Sequence, residues 1–174
     1  MRRALIAASI AGIASFTFGF ETAARADERV ASVAQGAPPF VLETPAGSEL
    51  TLRSFAGRPL VLNVFASWCP PCREELPRIV SAARRSGTRV AFLGVDEQEA
   101  EGMATSFARE MRVPYPIAVD HGQFAASYGA RSLPETIFVD AHGTVRAIVH
   151  GAIPAATLER NLALIAASGS AVKP

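Results

Sequence analysis

A chain of 174 residues, 49% of them hydrophobic, can bury one proper core and is short for two. Lys and Arg number 17 against 16 Asp and Glu, so no basic excess points to a nucleic-acid partner. With only two cysteines, Cys69 and Cys72, the chain is no disulfide-stapled scaffold, and a bridge across so short a loop would constrain the unfolded chain little.

Residues 1–26 read as a secretory signal peptide. Arg2 and Arg3 precede an apolar run from Ala4 to Phe20, and Ala24-Arg25-Ala26 offers small residues for cleavage after Ala26. The alternative is an uncleaved anchor, since the run sits at the lower edge of what spans a bilayer. Its many Ala, Gly and Ser residues favour cleavage. The expected location is the periplasm of a two-membrane bacterium, with anchoring to the inner membrane as the alternative. Residues 27–37 read as a flexible lead-in and 38–170 as the folded domain.

Phe40–Leu42 and Leu50–Leu52 flank the turn cluster Thr44-Pro45-Ala46-Gly47, which predicts a β-hairpin. Leu60–Phe65 is nearly continuously apolar and β-branched, the pattern of a strand buried on both faces. From Pro70 to Arg85 the period becomes helical: Cys72, Glu75, Leu76, Ile79, Val80 and Ala83 share one face. Pro70 and Pro71 suit a first helical turn, whereas Pro77, farther in, is expected to kink the helix. Val90–Val95 reads as a second buried strand. Glu97–Met111 reads as a polar helix whose Met103, Phe107 and Met111 pack into the core. Tyr115–Val119 reads as a short strand, Gly122–Tyr128 as a short helix, and Thr136–Val139 with Val145–Val149 as a hairpin around Ala141-His142-Gly143. Leu158–Ala166 closes the chain as an amphipathic helix. Strands alternating with helices, followed by a hairpin, imply an α/β fold: a mixed central sheet flanked by helices, with an added N-terminal β-hairpin.

Cys69 falls at the junction of a buried strand and a helix, and Cys72 lies about one turn farther in. Disulfide exchange needs an attacking thiolate, and a helix N-terminus favours one through its unpaired N–H groups and partial positive charge. Cys69 is therefore expected to attack and Cys72 to resolve. Half of a zinc site also reads Cys-x-x-Cys, but no second cysteine pair exists and His121, His142 and His150 are scattered. No metal site is expected.

The segment Asn63–Pro77, NVFASWCPPCREELP, resembles the active-site segment of the thioredoxin superfamily. With LVLNVFASWC before it and SLPETIFVDAHGTV after it, residues 37–168 most resemble the TlpA/ResA/DsbE branch of extracytoplasmic thioredoxin-like proteins. The resemblance implies a thioredoxin fold and a thiol–disulfide oxidoreductase, with the Cys69–Cys72 pair in place of any cofactor. It makes Pro134 a cis-proline, a form X-Pro bonds accept cheaply, and leaves the Leu133 backbone free to pair with an incoming polypeptide beside Trp68, Pro70 and Pro71. It assigns Glu75 to proton exchange with Cys72; a carboxylate on this buried face should have a raised pKa, while Glu74 points away. Thioredoxin itself carries an aspartate where this chain has Asn63. Pro70 and Pro71 lack N–H groups that could face a Cys69 thiolate, so a reducing couple is expected.

The implied function is an exported reductase of protein disulfides. Its implied substrates are apocytochrome c or copper-site assembly proteins, with electrons from a membrane thiol carrier of the DsbD or CcdA type, and a monomer is expected. Alternatives are a disulfide oxidase or isomerase, a thiol peroxidase, or a copper or haem chaperone. The peroxidase setting P-x-x-x-T-x-x-C is missing around Cys69, and the copper-delivery spacing C-x-x-x-C is absent.

Overall fold

The structure is a computed structural model, and it describes residues 33–97, 99 and 102–168. The expected signal segment 1–26, residues 27–32 of the lead-in and residues 169–170 lie outside the described residues.

Seven strands form one mixed sheet in the order β2-β1-β5-β4-β3-β6-β7. Strands β1 (Val41–Glu43) and β2 (Glu49–Thr51) make the expected hairpin, which joins the sheet through a single pairing of Glu43 with Val119. β3 (Leu60–Phe65) lies at the centre with all six residues buried, as its unbroken apolar run predicts. It pairs in parallel with β4 (Ala91–Glu97), and β4 pairs in parallel with β5 (Ile117–Asp120). On the other side β6 (Glu135–Val139) and β7 (Val145–His150) run antiparallel.

Helix α1 (Pro70–Ser86) connects β3 to β4 and runs on through Pro77; its buried residues include the six expected from the helical spacing. α2 (Met103–Glu110) and α3 (Gln123–Tyr128) flank β5, and α4 (Ala155–Ser168) closes the chain. Two cores result. Val61, Phe65, Leu76, Ile79, Phe107, Phe138 and Ile165 pack on the face that carries α1 and α4. Phe40, Leu62, Val64, Phe124 and Tyr128 pack on the other, where α3 lies.

Three expectations need correction. The helix expected over Glu97–Met111 is shorter: Glu97 ends β4, and α2 starts at Met103 behind a left-handed Gly102. Within it Phe107 is buried, but Met103 is exposed, because it falls on the solvent side of a helix only eight residues long. The lead-in is not free over its described part: Ala34 N–H donates to the Val145 carbonyl, Ala37 N–H to that of Gly143, and Gly36 bridges Thr144. Small, polar composition hid a segment that the backbone ties to the β6–β7 turn, with Ala37 packing against the second core.

Candidate active site

β3 ends at Phe65, and Ala66-Ser67-Trp68 carries the chain to Cys69, the N-cap of α1. Cys69 and Cys72 form a disulfide. The Cys72 N–H donates to Cys69 Sγ at 3.2 Å, while Pro70 and Pro71 have no N–H to offer. Cys69 is 3% exposed and Cys72 1%, so burial by itself hardly separates an attacking from a resolving sulfur.

Around the disulfide lies an open groove. Trp68, which is 68% exposed, Pro70 and Pro71 form one wall; Ala130, Arg131, Ser132 and Leu133 form the other, with Glu97 at its edge. The Leu133–Pro134 peptide bond is cis. The sheet places these walls side by side, because β3 leads into Trp68 and its neighbour β6 begins directly after Pro134.

Glu75 lies one turn beyond Cys72 on the same buried face and is 1% exposed. Its Oε1 accepts from Asn63 Nδ2 at 2.9 Å and its Oε2 from the Ile153 N–H at 2.8 Å. Arg78 donates to the Ile153 carbonyl at 2.7 Å, fixing the loop that supplies that N–H. Burial pushes the Glu75 carboxyl above its ordinary value, and the two hydrogen bonds and the Arg78 charge only partly offset this. Asn63 also donates weakly to Thr136 at 3.5 Å, while its own Oδ1 is buried without a partner among the described residues. Nearby, the buried Tyr115 hydroxyl has no partner among the described residues either, and burial together with the Glu75 charge raises its pKa. Glu74 is exposed, as expected from its helical position.

Two carboxylate pairs escaped the sequence reading. Glu99 accepts from the Ser67 N–H at 2.9 Å and from Ser67 Oγ at 2.6 Å, gripping the turn that presents Trp68. Burial pushes Glu99 up, but its neighbour Asp96 and the hydrogen bonds from Ser67 outweigh it and hold the group low. Its neighbour Asp96 is pushed up to about 8 by burial and by Glu99. The second pair is Glu135, buried directly after Pro134, whose Oε2 shares a 2.6 Å hydrogen bond with His150 Nδ1. The expectation of one polar helix over Glu97–Met111 concealed the first pair; the acid at a buried strand position was the available signal for the second.

Among the described residues no cluster of His, Cys, Asp or Glu could hold a metal ion, and no helix is long and apolar enough to cross a membrane.

The AhpC/TSA family model matches residues 33–148. The chain is 30% identical to the thiol-disulfide oxidoreductase ResA of Halalkalibacterium halodurans over 144 residues, 80% of this chain and 81% of ResA. Among solved structures, a secreted disulfide oxidoreductase of Mycobacterium tuberculosis, described as homologous to E. coli DsbE, superposes with a TM-score of 0.66 at 26% identity; the match covers 72% of this chain and 95% of that one. A thioredoxin family thiol:disulfide interchange protein of Chlorobium tepidum TLS gives a TM-score of 0.70 at 22% identity, covering 78% and 98%, and so shares the fold.

Proposed function

We propose that this chain, which belongs to the AhpC/TSA family and is a thiol–disulfide oxidoreductase of the ResA/DsbE type, works as an exported reductase of protein disulfides. The observation that carries the reading is the Cys69–Cys72 disulfide at the mouth of α1, bordered by an open groove and backed by the buried Glu75. In the reduced enzyme the Cys69 thiolate attacks one sulfur of a substrate disulfide, forming a mixed disulfide and releasing a substrate thiolate. Cys72, its proton passed to Glu75, then attacks Cys69 Sγ. This frees the second substrate thiol and leaves the enzyme disulfide, so two electrons have moved to the substrate. The groove beside Leu133 suits an extended polypeptide, whose backbone can pair with that of Leu133.

The direction rests on the dipeptide. A thiolate at Cys69 would find the Cys72 N–H but no donor at positions 70 and 71. A less stabilised reduced form makes a stronger reductant. Apocytochrome c cysteines or copper-site assembly proteins are the substrates, and a membrane thiol carrier of the DsbD or CcdA type is the electron source. A thiol peroxidase is the poorer reading, because Leu62 and Ala66 occupy the positions where a peroxidatic P-x-x-x-T-x-x-C needs Pro and Thr.

The test is the equilibrium reduction potential of the Cys69–Cys72 couple, titrated against dithiothreitol or glutathione. A value near or below roughly −270 mV supports a reductase; one near roughly −120 mV would replace that reading with a disulfide oxidase.

A further inference from the structure

The sheet sorts charge along its strands. Asp96, Glu97 and Asp120 lie at the C-terminal ends of β4 and β5, and Glu135 at the adjoining start of β6, so acids gather at the redox end. The opposite end is basic. Arg58 and Arg89 each stand two residues before the paired starts of β3 and β4, Leu60 and Ala91, which places them side by side. Arg53 and Arg58 line one cavity together with His142 from the β6–β7 turn. Arg84 sits in the last turn of α1 at the same end, where Arg89 donates to the carbonyls of Arg85 and Ser86. Arg53, Arg58, Arg84, Arg89 and His142 are all exposed.

The acids near this end are already engaged. Asp140 is buried, with its carboxylate accepting from His142 and Thr144 N–H groups and from Arg146. Glu159 pairs with Arg85. Among the described residues Arg53, Arg58, Arg84 and Arg89 have no carboxylate partner; Arg84 and Arg89 donate to backbone carbonyls, which leaves their charge uncompensated. They are guanidinium groups, whose planar fork matches phosphate oxygens in pairs; Lys173 is the only lysine of the chain.

The chain also enters the domain here. Ala34 and Ala37 are bonded to the β6–β7 turn, at Val145 and Gly143. Residues 1–32, with their apolar run Ala4–Phe20, thus join the domain beside the arginines and at the far end from Cys69.

We propose that this arginine-bearing end docks on an anionic phospholipid surface, holding the Cys69 end outward for its partner proteins. Charge complementarity and the point of chain entry both select a bilayer. The surface works the same way whether residues 1–26 are removed or retained. The inference does not depend on the direction of the redox reaction.

Trp68, the only tryptophan, reports the orientation. It follows β3, whose six residues separate it from the basic end by about 20 Å. The experiment measures partition of the full chain at low salt between vesicles of phosphatidylcholine alone and vesicles in which about one lipid in three is phosphatidylglycerol. The expected result is at least about a tenfold preference for the anionic vesicles, falling steeply with added salt. Trp68 fluorescence should stay unquenched by brominated acyl chains in those vesicles. The triple variant Arg53→Gln, Arg58→Gln, Arg89→Gln should lose the preference while its Cys69–Cys72 potential and circular dichroism stay at wild-type values. Equal partition into both vesicles overturns the proposal. So does a preference that survives the triple substitution, or a Trp68 that is quenched. Should the triple variant misfold, the pair Arg53→Gln, Arg58→Gln makes the same comparison.

Discussion

Asn63 in the central strand donates to Glu75 on α1 across 2.9 Å, so an amide on the strand serves a carboxylate on the facing helix. An acid on the strand would have met a second acid on the helix; an amide there stabilises the charged form of Glu75. Replacing Asn63 by Ala removes that donor and should raise the Glu75 pKa further. The limb of the pH–rate profile that reports Glu75 should move to higher pH, while Glu75→Gln should remove it and slow the exchange. Insulin reduction followed across pH measures both. An unchanged profile in Glu75→Gln would show that this carboxyl moves no proton in the reaction.

Asp96 makes stability depend on pH. Its carboxyl is ordinarily ionised above 3.8 but is held up to about 8 in the folded chain. The folded state therefore keeps a proton that the unfolded state has lost. The stability this provides is fully present below the lower value and is lost as pH rises through about 8. Asp96→Asn should flatten that decline, and above this range it should unfold at higher urea than wild type. Parallel urea midpoints for the two proteins across the interval would contradict the assignment.

Glu99 anchors the turn that presents Trp68. Glu99→Ala frees the Ser67 N–H and hydroxyl, at a cost of about 1–3 kcal/mol for the groups left unpaired. Trp68 fluorescence anisotropy should fall and KM for a polypeptide substrate should rise. The reduction potential should stay unchanged, because neither sulfur loses a partner. A shifted potential with constant KM would place Glu99 in control of the thiols instead.

Single cysteine variants separate the two sulfurs. Cys72→Ser should accumulate a mixed disulfide with substrate at Cys69, visible by mass spectrometry of the alkylated product. Cys69→Ser should accumulate none. The reverse pattern would exchange the two roles.

Pro71→His restores an N–H beside Cys69 and should make the couple more oxidising, with about 30 mV for each tenfold change in its equilibrium constant. A potential that stays put would mean that the missing donors do not set the direction.

The central strand, the helix carrying Cys-Pro-Pro-Cys and the closing hairpin follow from local pattern alone. An unbroken apolar run, an apolar face at helical spacing and a turn triplet each constrain a few adjacent residues. That also made Cys69, Cys72 and Glu75 readable, since all three ride on one helix. Tertiary structure decided what lies far apart in sequence. It set Asn63 against Glu75, and it brought the Ile153 N–H, 78 positions along the chain, to the other oxygen of the same carboxylate. It turned Glu99 from a supposed helix residue into the anchor of Ser67, because the end of β4 and not the local polarity fixes where that stretch begins. It also sorted the arginines to one end of the sheet, an arrangement invisible in a nearly neutral composition. Periodicity encodes which face of an element is buried. Which element that face meets depends on strand register and chain reversal, and these are settled only when the two cores close.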